Sequence, residues 1–199
     1  MKMSLLEQIK EYLHPITRGA IDGSLSTLGI VIGAVNASPE IIIAAGMSGG
    51  IANGFSNMFA AVSAEKTEML GDLSEIEDAM LKDTLRDTII HEMQSKKVRS
   101  RGFIDGVATI FGALVPVVPY FFLGTGQAIF LSIGLTSLLA FFLGFAMAQV
   151  SGRNILYLGL KMAIIAIIVA IASTSVRQLI EAGFKGSLLH PILGLGLCV

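Results

Sequence analysis

Arg18-Gly19-Ala20-Ile21-Asp22-Gly23 and Arg101-Gly102-Phe103-Ile104-Asp105-Gly106 are two copies of one line, each at the mouth of a long apolar run. The match continues past the second glycine, with Ser26 on Thr109 and Gly29 on Gly112 at the same offset of 83 residues. A carboxylate just inside an apolar segment is unfavourable in lipid, and such groups mark ion or proton paths. Placing one there twice in the same frame points to use.

The surrounding composition makes lipid the relevant solvent. The 199 residues are 53% hydrophobic and only 15% charged, against about 25% charged in a soluble domain. The apolar residues form runs long enough to cross a bilayer, which takes about 20 residues per helix. The runs are 19–38, 41–62, 102–123, 127–150 and 155–176, and the last carries a single charge, Lys161. The expected fold is therefore all-α: a polytopic membrane protein with five transmembrane helices and a short cytoplasmic acidic helical loop. Its divisions are 1–63, with an N-terminal segment and two spans; 64–100, the acidic loop; 101–176, three spans; and 177–199, an apolar tail.

A net charge of −1 offers nothing to nucleic acid. Residues Met1–Glu11 alternate charge without a continuous apolar core, unlike a signal peptide. Leu5, Leu6, Ile9, Tyr12 and Leu13 share a helical face, which suits a helix lying at the interface or a solvated cap. Cys198 is alone, so no internal disulfide forms.

Lysine and arginine set the orientation. The connections Asn36–Glu40 and Pro119–Gln127 have neither, whereas the N-terminus, the central loop and the fourth connection carry them. The positive-inside rule places those three in the cytoplasm and the C-terminus outside. With no targeting segment, a prokaryotic plasma membrane is expected. The first and third spans then run the same way, so the repeat is a pair of parallel helical hairpins, a recurring build of transporters.

On a helix, positions i, i+4, i+7 and i+11 lie on one side. From Asp22 that side reads Ser26, Gly29, Gly33, and from Asp105 it reads Thr109, Gly112, Pro116. Two such stripes facing each other would line a path. The competing reading pairs each aspartate with a nearby arginine or makes it a helix cap. In the second span Gly46, Gly50 and Gly54 favour close helix packing. Asn53 and Asn57 share a face there, with Ser56, Met47 and Met58 near them. Amide oxygens and thioether sulfurs are neutral ligands that hold a metal yet let it go. Pro116 and Pro119 are expected to kink or end the third span.

The acidic loop holds nine acids between Ala64 and Ser100. Glu65, Glu68 and Asp72 lie on one face, Glu75 and Asp78 are again one turn apart, and His91, Glu92 and Met93 follow. Carboxylates one turn apart with an imidazole in reach are ligands for Fe²⁺, Mn²⁺ or Zn²⁺. Asp78–Lys82, Asp83–Arg86 and Glu92–Lys96 have the spacing of ordinary helix-surface ion pairs, so a solvated face explains part of the run. Glu68, Asp72 and Glu75 have no base at that spacing.

Gly19-Ala20-Ile21-Asp22-Gly23, Gly50-Ile51-Ala52-Asn53-Gly54 and Phe59-Ala60-Ala61-Val62-Ser63, with an acidic loop after the second span, resemble the vacuolar iron transporter family. The resemblance implies a five-helix protomer, a homodimer in the lipid bilayer, and Fe²⁺ or Mn²⁺ leaving the cytosol in exchange for protons, with no resident cofactor. It implies that Asp22 lies on the transport path. By position it makes Glu65, Glu68, Asp72, Glu75, Asp78, Glu92 and Met93 candidates for a cytoplasmic metal-binding region. The chain departs from well-studied members at His14-Pro15, where they carry an acid, at Asn53, where they often have Met, and at Ala45, where they have Glu. Asp105, from the repeat, could stand in for the missing acid. Other readings are an intramembrane aspartyl hydrolase, which lacks the Gly-x-Gly-Asp context at either aspartate, and a membrane-bound metal sensor without transport.

Overall fold

A computed structural model describes the backbone of residues 5–80, 89–152 and 154–187, and the side chains of 12–79, 91–152 and 154–184. The apolar tail from 188, Cys198, and the pairs Asp78–Lys82 and Asp83–Arg86 lie in whole or part outside the described residues. Within them there is no strand. The helices are α1 (Leu5–Gly33), α2 (Pro39–Met80), α3 (Ile89–Val117), α4 (Thr125–Ser151) and α5 (Ile155–Ser187), with a 3-10 turn over Val118–Phe121 between α3 and α4. Among the described residues three segments, His91–Phe121, Thr125–Ser151 and Ile155–Phe184, are long and apolar enough to cross a membrane. In α1 and α2, Arg18, Asp22 and Ser26 and then Asn53, Ser56 and Asn57 dilute the apolar runs.

The described parts of the acidic loop, 64–80 and 89–100, are helix. At about 1.5 Å per residue, the 42 residues of α2 reach about 63 Å, roughly twice the hydrocarbon thickness of a bilayer. Its second half and the start of α3 form an antiparallel arm with its own small core of Met69, Leu73 and Val98. The N-terminal segment likewise runs into the first apolar stretch as one helix, with Pro15 inside it.

Glycine sets how the bundle packs. α1 and α3 run parallel and nearly touch. A Cβ on Gly19 would lie 2.2 Å from the Asp105 carbonyl oxygen, one on Gly23 1.9 Å from that of Thr109, and one on Gly112 2.2 Å from that of Ala20. α2 descends antiparallel along α3 on the predicted ladder. Gly46 meets Val117, Gly50 meets Ala113, and Gly54 meets Ile110 and the Gly106 carbonyl. Such contacts let backbones approach closely enough for dispersion to hold helices together in lipid.

α4 turns small residues inward every fourth position, from Ala128 through Ser132, Thr136, Ala140 and Gly144 to Ala148. α3 ends after Pro116, whose carbonyl accepts a hydrogen bond from Ser132 Oγ at 2.6 Å. α4 stops at Gly152, whose φ of 65° is left-handed and favours glycine. α5 returns along α4, with Gly144 against Gly159. Phe103, Phe111, Phe122, Phe130, Leu156 and Leu179 are among many large apolar side chains left exposed on the bundle, as lipid contact requires.

Candidate functional site

The two repeated aspartates have separate fates. Asp105 is buried, its side chain 3% exposed, and its two oxygens take a fork from Arg18 of α1, with Nε at 3.2 Å from Oδ1 and Nη2 at 3.0 Å from Oδ2. The ion pair thus crosses from one repeat to the other. Its counterpart, Arg101, reaches Glu65 of α2 at 3.8 Å instead of Asp22. Of the readings open in the sequence, Asp105 follows the arginine-paired one. The arginine is its neighbour in space, 87 residues away in the chain.

Asp22 is exposed on α1, and amides meet it. Asn53 Nδ2 and Asn57 Nδ2 each donate to Asp22 Oδ2 at 2.8 Å. Asn53 Nδ2 also donates to Ser26 Oγ at 2.9 Å, and Asn57 Nδ2 to Thr109 Oγ1 at 3.0 Å. Thr109 in turn donates to the Asp105 carbonyl at 2.8 Å. Asp22, Ser26, Asn53, Asn57 and Thr109 are therefore one knot joining α1, α2 and α3, and Gly23 and Gly112 are what bring the helices close enough to tie it. Met58 is outside the knot, packed by its Cβ against Gly106.

The predicted stripes do not face each other. The α3 stripe is closed: Asp105 is paired, Thr109 is buried, and Gly112 is filled by α1. The α1 stripe of Asp22, Ser26, Gly29 and Gly33 opens between α2 and α5. A cavity of about 300 Å³ lies on one side of the knot, lined by Arg18, Asp22, Asn57, Ala60, Ala61, Ala64 and Asp105. A groove of about 620 Å³ starts at Ser26 and runs along Gly29 and Gly33 against Ser173 to Arg177 and Glu181 of α5.

In the arm, Glu65, Glu68 and Asp72 line a cavity of about 240 Å³ with Met69, Gln94, Lys97 and Arg101. Burial pushes the Glu65 carboxyl above the usual range, against the opposite pull of Arg101 and Arg18. Glu75, Asp78 and Met93 are exposed, and His91 is half-buried away from the three acids of the cavity. Glu92 accepts from Lys96 at 2.7 Å, the helix-surface pair its spacing predicts. Among the described residues no three His, Cys, Asp or Glu form a group that could hold a metal ion. Opposite charges from α3 share the cavity with the three acids.

Two features were not read from the sequence. Arg18 stands four residues before Asp22, and nothing in that spacing indicates Asp105. Asn36 Nδ2 donates to Glu181 Oε1 at 2.6 Å, and Arg177 Nη1 reaches the same oxygen at 3.1 Å. Only the i,i+4 spacing of Arg177 and Glu181 carried a signal.

A sequence profile of the VIT family matches residues 60–177, more than half of the chain. The match starts in α2 and ends in α5, so Asp22, Asn53 and Asn57 lie ahead of it. A Methanocaldococcus jannaschii protein described as uncharacterized is 42% identical over 159 residues, covering 78% of this chain and 83% of its own length.

Proposed function

The chain belongs to the VIT family, a family of membrane metal-ion transporters, and on that premise we propose that it carries Fe²⁺ or Mn²⁺ out of the cytosol past Asp22 in exchange for protons. The observation that carries this reading is the exposed Asp22 carboxylate with two asparagines at 2.8 Å. A carboxylate at membrane depth facing lipid costs at least about 2.5 kcal/mol, so the open stripe needs a cover. A second copy supplies it. Asp22, Ser26 and Gly33 of α1 and Ser56 and Ala60 of α2 are exposed, and apart from the aspartate they are small enough for two protomers to meet closely. Two Asp22 carboxylates then match the charge of one divalent cation.

An asparagine amide offers either end. A half-turn at Asn53 and Asn57 exchanges their N–H groups for carbonyl oxygens directed at a bound cation. The cation would enter from the cavity beside Arg18, where the arm's Glu65, Glu68 and Asp72 raise its local concentration. A proton arriving at Asp22 removes the charge that holds it and releases it. Proteoliposome flux of Fe²⁺ and Mn²⁺, with a pH dye on the opposite side, tests the proposal. Flux with counter-movement of protons, lost in Asp22→Asn, supports it. Unchanged flux in that variant removes Asp22 from the path.

A further inference from the structure

We propose that Glu181 is a second cation site at the end of the path opposite Arg18, and that Arg177 is the built-in cation that closes it. This rests on the transport reading and extends it to a part of the molecule that reading does not use. The groove between α1 and α5 begins at the Asp22 knot, because Ser26, which accepts from Asn53 at 2.9 Å, is also its first lining residue. Its floor is narrow in side chains and wide in space. A Cβ on Gly33 would meet nothing within 4 Å, and one on Gly29 only Ser173 Oγ at 3.4 Å. From Asp22 to Gly33, the last residue of α1, the helical rise covers about 16.5 Å, so knot and groove together extend over about half of a hydrocarbon core of about 30 Å.

At the far end Glu181 Oε1 takes both local donors, Asn36 Nδ2 from the turn after α1 and Arg177 Nη1 from one turn earlier in α5. Oε2 accepts no hydrogen bond among the described residues. The pair is partly buried, with side chains 22% and 35% exposed for Arg177 and Glu181, and Arg177 Nε is buried without a partner. An arginine held by one of its donors is replaceable. A partly hydrated divalent cation reaching this carboxylate competes with the guanidinium for the same charge, takes up the free oxygen, and can use the Asn36 amide oxygen as well. Once the cation holds Glu181 and the Asn36 amide oxygen, the Asn36 N–H bond that ties the α1–α2 turn to α5 is replaced, and Arg177, a lining residue of the groove, swings clear of it; loss of the cation lets both contacts re-form.

Mn²⁺ flux into proteoliposomes of the full chain tests this, with Asp22→Asn, Glu181→Gln, Arg177→Gln and the double variant compared after a check of folding by elution and thermal unfolding. The gate predicts opposite effects. Glu181→Gln lowers flux roughly tenfold or more, because the arginine is left with no charge partner and the cation with no site. Arg177→Gln carries Mn²⁺ at or above the wild-type rate with a lower KM, and the double variant follows Glu181→Gln. Wild-type flux in Glu181→Gln, with flux abolished in Asp22→Asn, overturns the gate and leaves the transport reading standing. Equal losses in the two single variants with recovery in the double variant make the pair a structural tie and also overturn it. If Asp22→Asn transports normally, the reading beneath fails and the gate with it. Where Glu181→Gln does not fold, Arg177→Gln decides alone: flux at or above wild type supports the gate, and a tenfold fall overturns it.

Discussion

Replacing Gly23 by alanine separates the two repeats at the point where they define the site. An added Cβ lies 1.9 Å from the Thr109 carbonyl oxygen and 2.7 Å from its carbon. Both belong to the backbone of α3, so no rotamer relieves the overlap. To restore even 3.0 Å, α1 has to retreat by about 1 Å, and such overpacking costs about 1–3 kcal/mol in a dense core. The same retreat acts on Asn57, which spans from Asp22 at 2.8 Å to Thr109 at 3.0 Å. With about 1 Å added to that span, one of the two hydrogen bonds falls beyond normal reach. A misplacement of that size costs on the order of 100-fold where geometry governs the rate. Gly23→Ala is therefore expected to lower thermal stability in detergent and to reduce Mn²⁺ flux in proteoliposomes on that scale. Gly134→Ala, in α4 with nothing within 4 Å of the added Cβ, lowers neither. If Gly23→Ala matches the wild type in both assays, α1 and α3 do not approach as described and the knot is not held by this glycine.

Three further outcomes follow from the geometry. Asp105→Ala leaves Arg18 without its partner; since that side chain is 46% exposed and water takes up part of its charge, the loss in unfolding free energy is about 1–2 kcal/mol, below the 3–5 kcal/mol of a fully buried pair, and Arg18→Met in the same chain restores part of it. Gly71→Ala, mid-helix in the arm with nothing within 4 Å, stabilises the protein by up to about 1 kcal/mol in denaturant melts, because alanine is the better helix former. Glu65 has its pKa raised by burial, so the native state holds its proton more tightly than the unfolded chain does. Its contribution is largest below the unfolded value of 4.5 and is lost as pH rises through the native value. The stability of the wild type relative to Glu65→Gln therefore increases as pH is lowered through that window, and a difference that is flat or falls with acidification contradicts the burial of this carboxyl.

The helices and the parallel repeat were legible because both rest on local patterns: apolar length, glycine at fixed offsets and the distribution of lysine and arginine. The Asp22–Asn53–Asn57 grouping was legible in part, since each residue lay on a polar face of its own helix. Which faces meet was not, because it depends on where glycine lets backbones touch. Gly19, Gly23 and Gly112 press the α3 stripe against α1 and close it. The same close approach puts Arg18 beside Asp105, a pairing invisible to i,i+4 reasoning since the partners lie in different repeats. In the arm the one-turn spacing of Glu65, Glu68 and Asp72 correctly put them on one wall. The opposite wall of Gln94, Lys97 and Arg101 comes from α3 and was not readable from α2 alone. The duplicated line thus keeps its backbone role in both copies, while one aspartate binds an arginine and the other stands open.

Anomalous scattering from crystals of the full chain soaked in Mn²⁺ tests whether Asp22 holds the transported ion. A peak is expected within about 2–2.5 Å of an Asp22 carboxylate oxygen, beside Asn53 and Asn57 with their amides turned, and absent from Asp22→Asn crystals. Peaks confined to the cavity of Glu65, Glu68 and Asp72, with none at Asp22, would contradict it.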